Sequence, residues 1–214
     1  MLFVMSAALG LKDKYTQEHA HRVSVYARRL AKRIRLPAEE IEVTAWGGWL
    51  HDIGKLALSE RIFSNQKAAL SREMLWEVHS HPLIGAALLK RINCANAICE
   101  AVLYHHERID GSGYPFGLKG SSIPLGARIV SVADCFDAIT TDRPYQRSKS
   151  CEDAFGVLTD MAGNYLSADL VALFIDEIRK KGMYPGTRKP LAAQVSWTAG
   201  RSQLLSPAGV PPSV

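Results

Sequence analysis

Residues 125–140 read LGARIVSVADCFDAIT. Wound into a helix, this stretch is apolar on nearly every side and leaves no face for water. Such a helix is stable only when other helices surround it, so it belongs at the centre of a bundle. The other segments carry the helical period that a bundle needs, and none reads as a sheet. The expected fold class is therefore all-α, a helical bundle. Asp134 stands in the middle of this central helix. A buried carboxylate without a partner costs roughly several kcal/mol, so Asp134 needs an arginine, a hydrogen-bond cluster or a metal.

The flanking elements follow from their punctuation. Thr16 is placed to N-cap a helix running to Leu36, where Pro37 stops it. Val23, Tyr26, Leu30 and Ile34 form its buried stripe, and Arg22, Arg28, Arg29, Lys32, Arg33 and Arg35 lie mostly off it. Pro37 and AEE open the next helix, which continues through IEVTAWGGWLHD. Ser71 caps REMLWEVHS, and Pro82 kinks that helix or opens a new one. ANAICEAVLYHHE is a helix that ends at HHERIDGSGYP, and 108–124 form a loop. Two more helices are expected near 151–163 and 167–182. Residues 1–183 thus read as one domain, and 184–214, rich in Pro, Gly and Ser without periodicity, as a mobile tail.

Bulk properties narrow the partners. The apolar start MLFVMSAALG lacks the basic residues and cleavage site of a secretory signal and reads as the first helix. No run approaches the roughly 20 apolar residues of a membrane span. Cys94, Cys99, Cys135 and Cys151 form no CxxC pair and fall in apolar contexts, which suits buried reduced thiols in a cytoplasmic protein. A net charge of +5 suits an anionic ligand and is too mild to argue for nucleic acid.

Helical geometry sorts the histidines. His19 lies on the stripe of Val23, Tyr26 and Leu30, whereas His21 faces about 200° away from it. His81 follows Met74 and Val78 at helical spacing and precedes Ile84, Gly85 and Leu88, so it points inward and His79 does not. His105 and His106 continue the face of Ile98 and Val102. His51 ends the apolar run TAWGGWL and is followed at once by Asp52. Packing has no use for so many converging polar groups unless something cationic compensates their desolvation. Imidazole and carboxylate without cysteine suit Fe, Mn, Zn, Co or Ni rather than Ca or Mg. His19, His51, Asp52, His81, His105, His106 and Asp134 exceed the needs of one ion, so two are expected, with Asp52 as the bridge. Two ions about 3.5–4 Å apart clamp a phosphate and generate hydroxide near neutral pH, which implies in-line phosphoester hydrolysis. Lys55, one turn beyond, is placed to meet a phosphate oxygen or the leaving group.

At these residues the chain resembles a known family. HDIGK at 51–55 with HHERIDGSGYP at 105–115 is similar to the HD-GYP branch of the HD phosphohydrolases. The likeness extends through YTQEHAHRV, HPLIG and IPLGARIVSVADCFDAITTDRPY and covers about residues 5 to 180. It implies an all-helical HD bundle whose active members hydrolyse the bacterial second messenger cyclic di-GMP to pGpG, in some cases on to GMP. It implies metal ligands at His19, His51, Asp52, His81, His105, His106 and Asp134. It further implies Lys55, Tyr114 and Arg143 as substrate contacts, with Arg108 and Asp110 bracing the loop.

Three departures shape the expectation. Gln146 stands where the family often has a basic residue after RPY, so it becomes the candidate substrate contact there. SERIFSNQKAALS replaces the usual Lys-Pro-Gly turn after HDIGK. Tyr15 replaces a glutamate that in some members holds a third metal, which favours two ions here. The chain starts almost at this domain, whereas many members carry a receiver or sensor domain first. The leading expectation is a cyclic di-GMP phosphodiesterase with two divalent transition metals, Fe or Mn foremost and Zn, Ni or Co as substitutes. Two alternatives stand beside it: a hydrolase of another cyclic dinucleotide such as cyclic GMP-AMP, and a catalytically weak scaffold. The scaffold would contact diguanylate cyclases or adaptors through its GYP surface or the basic stripe Arg28–Arg35.

Overall fold

The computed structural model describes residues 9–10, 14–64, 70–142 and 147–183. Its helices are α1 (Lys14–Arg33), α2 (Ala38–Leu50), α3 (Glu60–Ser64), α4 (Arg72–His79), α5 (His81–Arg91), α6 (Asn96–Tyr104), α7 (Leu125–Thr140), α8 (Cys151–Met161) and α9 (Ala168–Lys181). A 3₁₀ turn, Ile53–Ala57, follows α2. Among the described residues there is no strand, only an isolated bridge between Ala162 and Leu166. None of the described helices is long and apolar enough to cross a membrane.

The apolar helix takes the central place its composition demands. α7 touches α1, α2, α6, α8 and α9. Its Phe136 meets Tyr26 of α1 edge-on at 5.1 Å and Phe174 of α9 at 5.1 Å, all fully buried. Each such edge-to-face pair adds about 0.5–1.5 kcal/mol beyond its buried area. A second cluster, including Trp46, Leu50, Ile53, Leu89, Ile98 and Val102, joins α2, the 3₁₀ turn, α5 and α6. α6 binds the two together, giving Ala101 to the first cluster and Val102 to the second.

Several boundaries differ from expectation. α1 begins at Lys14, and Thr16 lies inside it, buried, as a packing position instead of a cap. It ends at Arg33, short of Leu36. The Arg35 amide bonds Lys32 and the Leu36 amide bonds Ala31, a Schellman turn that holds Arg35 at φ 61°. Ser71 does cap α4, accepting from the Met74 amide, and Pro82 opens α5 within its first turn. Cys94 and Cys99 are buried, but Cys135 and Cys151 are only half-buried because they sit at the margin of the first cluster.

The basic stripe of α1 is largely engaged within the chain. Arg28 pairs with Glu42, Arg29 donates to the Gly182 and Glu177 carbonyls, and Arg33 reaches Asp176 at 2.8 Å. Arg22 is buried, contrary to its assignment off the stripe, because a carboxylate meets it in the core. Most of the opening segment, and all of 184–214, lie outside the described residues.

Candidate metal centre

Histidines reach the centre mostly from helix ends, and the local chemistry there is uniform. The last carbonyls of a helix have no intrahelical donor. His51 Nδ1 donates to the Gly48 carbonyl, His81 Nδ1 to Val78 and His105 Nδ1 to Val102, each at 2.7 Å. Each accepting carbonyl lies in the last turn of α2, α4 or α6. The same bond satisfies the helix end and fixes the tautomer, leaving Nε2 bare. His19, inside α1, donates Nδ1–H to Asp137 Oδ2 at 2.8 Å, which turns its Nε2 toward the same centre. The negative ends of three helix dipoles thereby lie close to the centre, which favours a cation there.

The Nε2 nitrogens crowd one another. His19 Nε2 lies 3.2 Å from His51 Nε2, and His81 Nε2 lies 3.3 Å from His105 Nε2. Two lone pairs cannot hydrogen-bond each other, so each contact needs a proton or a metal ion. Nitrogens about 2.0–2.1 Å from one shared ion stand roughly 3 Å apart, so the observed spacing fits metal ligation. His19, His51 and Asp52 form one group of potential ligands, and His81, His105 and His106 another. Asp52 lies between them. Its Oδ2 is 3.3 Å from His51 Nε2, and its Oδ1 is 3.3 Å from His81 Nε2. Asp134 adds an oxygen 3.1 Å from His19 Nε2. All the sequence-predicted ligands are thus brought together.

Electrostatics follow from burial and these neighbours. Burial pushes His81 down to about 4 and His106 down to about 3. It also holds His105 well below its ordinary value, helped by the neighbouring His106. These rings stay neutral at physiological pH. Burial opposes protonation of His19 too, but its hydrogen bonds to Asp134 and Asp137 win and lift it to about 9. Burial would raise Asp52 and Asp134, yet Lys55 and His51 act on the first and the His19 bond on the second, so both stay ionised.

In the metal-free centre His19 therefore carries a proton at neutral pH. A metal ion must displace it, so affinity rises with pH until His19 titrates near 9, about tenfold per unit for one proton. His81, His105 and His106 are already neutral there and oppose binding only as pH falls toward their lowered values. Calorimetric titration of Mn(II) at pH 7, in two buffers of different ionisation enthalpy, should report about one proton released on binding to His19's group. No release would contradict this electrostatic account.

Lys55 Nζ sits 2.6 Å from Asp52 Oδ2, half-buried at the rim. Tyr114 stacks on His106, with ring centroids 4.7 Å apart. Burial, then the charges of Asp52 and Asp134, push its phenol pKa up, so it stays a protonated donor. Arg143 and Gln146 lie outside the described residues, as does the side chain of Tyr15.

Some supporting residues escaped the sequence reading. Asp137, fully buried, accepts from His19 and from Arg22 Nε at 2.6 Å and Nη2 at 3.0 Å. It orients the ligand and neutralises the buried arginine. The signal was present: Asp137 is three residues beyond Asp134, and Arg22 three beyond His19, so each pair shares a helix face. Glu107 holds the following loop, accepting from the Phe116 amide at 2.7 Å and the Leu118 amide at 2.9 Å. Gly113 lets that loop fold back, because a Cβ there would lie 2.5 Å from the His106 carbonyl oxygen and 2.6 Å from Glu107 Cα. Arg108 and Asp110 both contact Ser112 within it.

The HD domain pattern matches residues 4–170. The chain belongs to the HD domain family. HDIGK and HHERIDGSGYP, both inside the matched span, put it in the HD-GYP branch. It is 32% identical over 209 residues to a cyclic di-GMP phosphodiesterase of Thermotoga maritima, covering 97% of this chain and 56% of that protein. It is 34% identical over 155 residues to a 3'3'-cGAMP-specific phosphodiesterase of Vibrio cholerae, covering 72% and 36%. A solved HDG"Y"P protein from Bdellovibrio bacteriovorus shares the fold, with TM-score 0.61, 22% identity, and coverage of 75% and 51%. The chain spans about half the length of the curated relatives it matches.

Proposed function

We propose that this HD domain is a metal-dependent phosphodiesterase that hydrolyses cyclic di-GMP to pGpG. One observation carries the reading: two groups of potential ligands face the two oxygens of one carboxylate, Asp52. That arrangement suits a pair of ions, His19, His51, Asp52 and Asp134 serving one, and His81, His105, His106 and Asp52 the other. Nitrogen and oxygen donors favour Fe or Mn, with Zn, Ni or Co able to take their place. When bound, the pair supplies Lewis acidity and lowers the pKa of water toward neutrality.

The chain's own residues do the rest. The fixed Nδ1–H bonds keep the imidazoles of His19, His51, His81 and His105 aimed without reorganisation. Lys55 is close enough to Asp52 to shift onto a phosphate oxygen when substrate arrives. Tyr114, a neutral donor at the rim, can hydrogen-bond the dinucleotide. Arg143 and Gln146 are proposed as further substrate contacts. The domain's surroundings are proposed to be cytoplasmic.

The test uses the purified chain loaded anaerobically with Fe(II) or Mn(II) and given cyclic di-GMP and 3'3'-cGAMP in competition. Linear pGpG should appear, and EDTA should abolish it. If an active relative cleaves cyclic di-GMP in parallel and this chain does not, the reading fails. Preference for cyclic GMP-AMP would move the chain toward the relatives specific for that substrate.

A further inference from the structure

His79 has no place in the metal chemistry. It is the last residue of α4, exposed, and separated by Ser80 alone from the inward ligand His81. Yet its ring lies nearly flat on Tyr114, with centroids 4.1 Å apart and planes 16° apart. The other face of Tyr114 lies against His106, at 4.7 Å and 27°. Three rings from three segments therefore form one stack: α4, the loop, and the residues just past α6.

The stack decides how Tyr114 can be used. Both faces of its ring are covered, so no nucleobase can stack on it. Only the phenol edge and its hydroxyl remain for contact with a substrate. The hydrogen bonds on Tyr114 and the residues just after it act on backbone. Glu107 holds the amides of Phe116 and Leu118, and the Tyr114 amide donates to the His106 carbonyl at 3.2 Å. These restraints locate the chain but leave the ring free to turn about its side-chain bonds. His106 braces one face of the ring. The outer brace comes from His79.

We infer that His79 is a positioning residue: stacked on the outer face of Tyr114, it holds that ring against His106 so that only the phenol edge meets the substrate. The inference deepens the cyclic dinucleotide reading and rests on it for the identity of the substrate. An aromatic contact of this kind is worth about 0.5–1.5 kcal/mol, which sets the scale of the expected effect. Because His79 touches neither the ligands' nitrogens nor Asp52, the effect belongs in substrate affinity.

The experiment compares His79→Ala with His79→Phe, which keeps a flat ring without nitrogens. In the metal-loaded full chain, His79→Ala should raise KM for cyclic di-GMP about tenfold while kcat changes by less than about threefold. His79→Phe should bring KM back to within about threefold of the parent. A second readout needs no substrate and no metal. In the metal-free chain carrying ¹³C-labelled tyrosine, the Tyr114 ring resonances should lose part of their ring-current shift in His79→Ala and keep most of it in His79→Phe. An unchanged KM in His79→Ala, a phenylalanine variant no better than the alanine one, or unmoved Tyr114 resonances would each overturn the inference. If the parent chain neither binds nor cleaves cyclic di-GMP, the functional reading fails, and the resonances alone decide whether His79 sets the ring.

Discussion

Asp52→Asn should abolish hydrolysis, with a loss of about 10³-fold or more, equivalent to about 4 kcal/mol of barrier. The substitution keeps the side chain's shape and removes its charge. Both carboxylate oxygens are in use, Oδ2 toward His51 and Lys55 and Oδ1 toward His81. An amide can offer one oxygen at most, and its NH₂ would face bare nitrogens or the Lys55 ammonium. One of the two ligand groups therefore loses its shared anion. Elemental analysis should find the metal content reduced, with the metal-free chain still folded by circular dichroism. Full metal occupancy together with activity within tenfold of the parent would remove Asp52 from the bridging position. A pure scaffold would keep its cellular effect in this variant, which separates that alternative from catalysis.

Gly54→Ala should be among the most damaging single-methyl additions in the domain. Gly54 lies in the 3₁₀ turn two residues after Asp52 and presses against the start of α5. A Cβ there would overlap the His81 carbonyl oxygen and stand 2.7 Å from the Gly85 nitrogen and 2.8 Å from the His81 carbonyl carbon. All three are backbone atoms of a packed helix and have no rotamer through which to give way. Overpacking typically costs 1–3 kcal/mol, and a contact with rigid backbone belongs near the upper end, about 3 kcal/mol. For a domain of this size that is a fall in Tm of roughly 6–12 °C. Separating the turn from α5 also separates Asp52 from His81, so metal affinity should fall with stability. Gly156, exposed in α8, would set nothing against a new Cβ within 4 Å. Gly156→Ala should therefore stabilise the helix by up to about 1 kcal/mol. Equal thermal shifts in the two variants would mean that the close approach at Gly54 has no consequence.

The helical class was legible in the sequence because the central helix advertises itself: a segment apolar on every side has one stable environment. The inward histidines were legible because side-chain direction repeats along a helix, so His19 separates from His21 and His81 from His79 without any knowledge of the partner helices. Helix starts were read well where a side chain does the capping, as at Ser71. They were read poorly at Thr16, where burial in the bundle outweighed its capping tendency.

What needed the tertiary structure was everything set by contacts between distant segments. Asp137 and Arg22 are 115 residues apart, and each alone looks like an ordinary helical charge. Their pairing exists only because α1 packs on α7. His79 reads as a solvent-facing histidine, which it is, until the loop beyond α6 lays Tyr114 against it. The near contacts between Nε2 atoms at the centre depend on how α1, α2, α5 and α6 converge to within a few tenths of an ångström. Periodicity along one helix says which side chains turn inward, because that follows from covalent geometry. It says nothing of what they meet there, because packing between helices sets the distances on which hydrogen bonds and metal ligation depend.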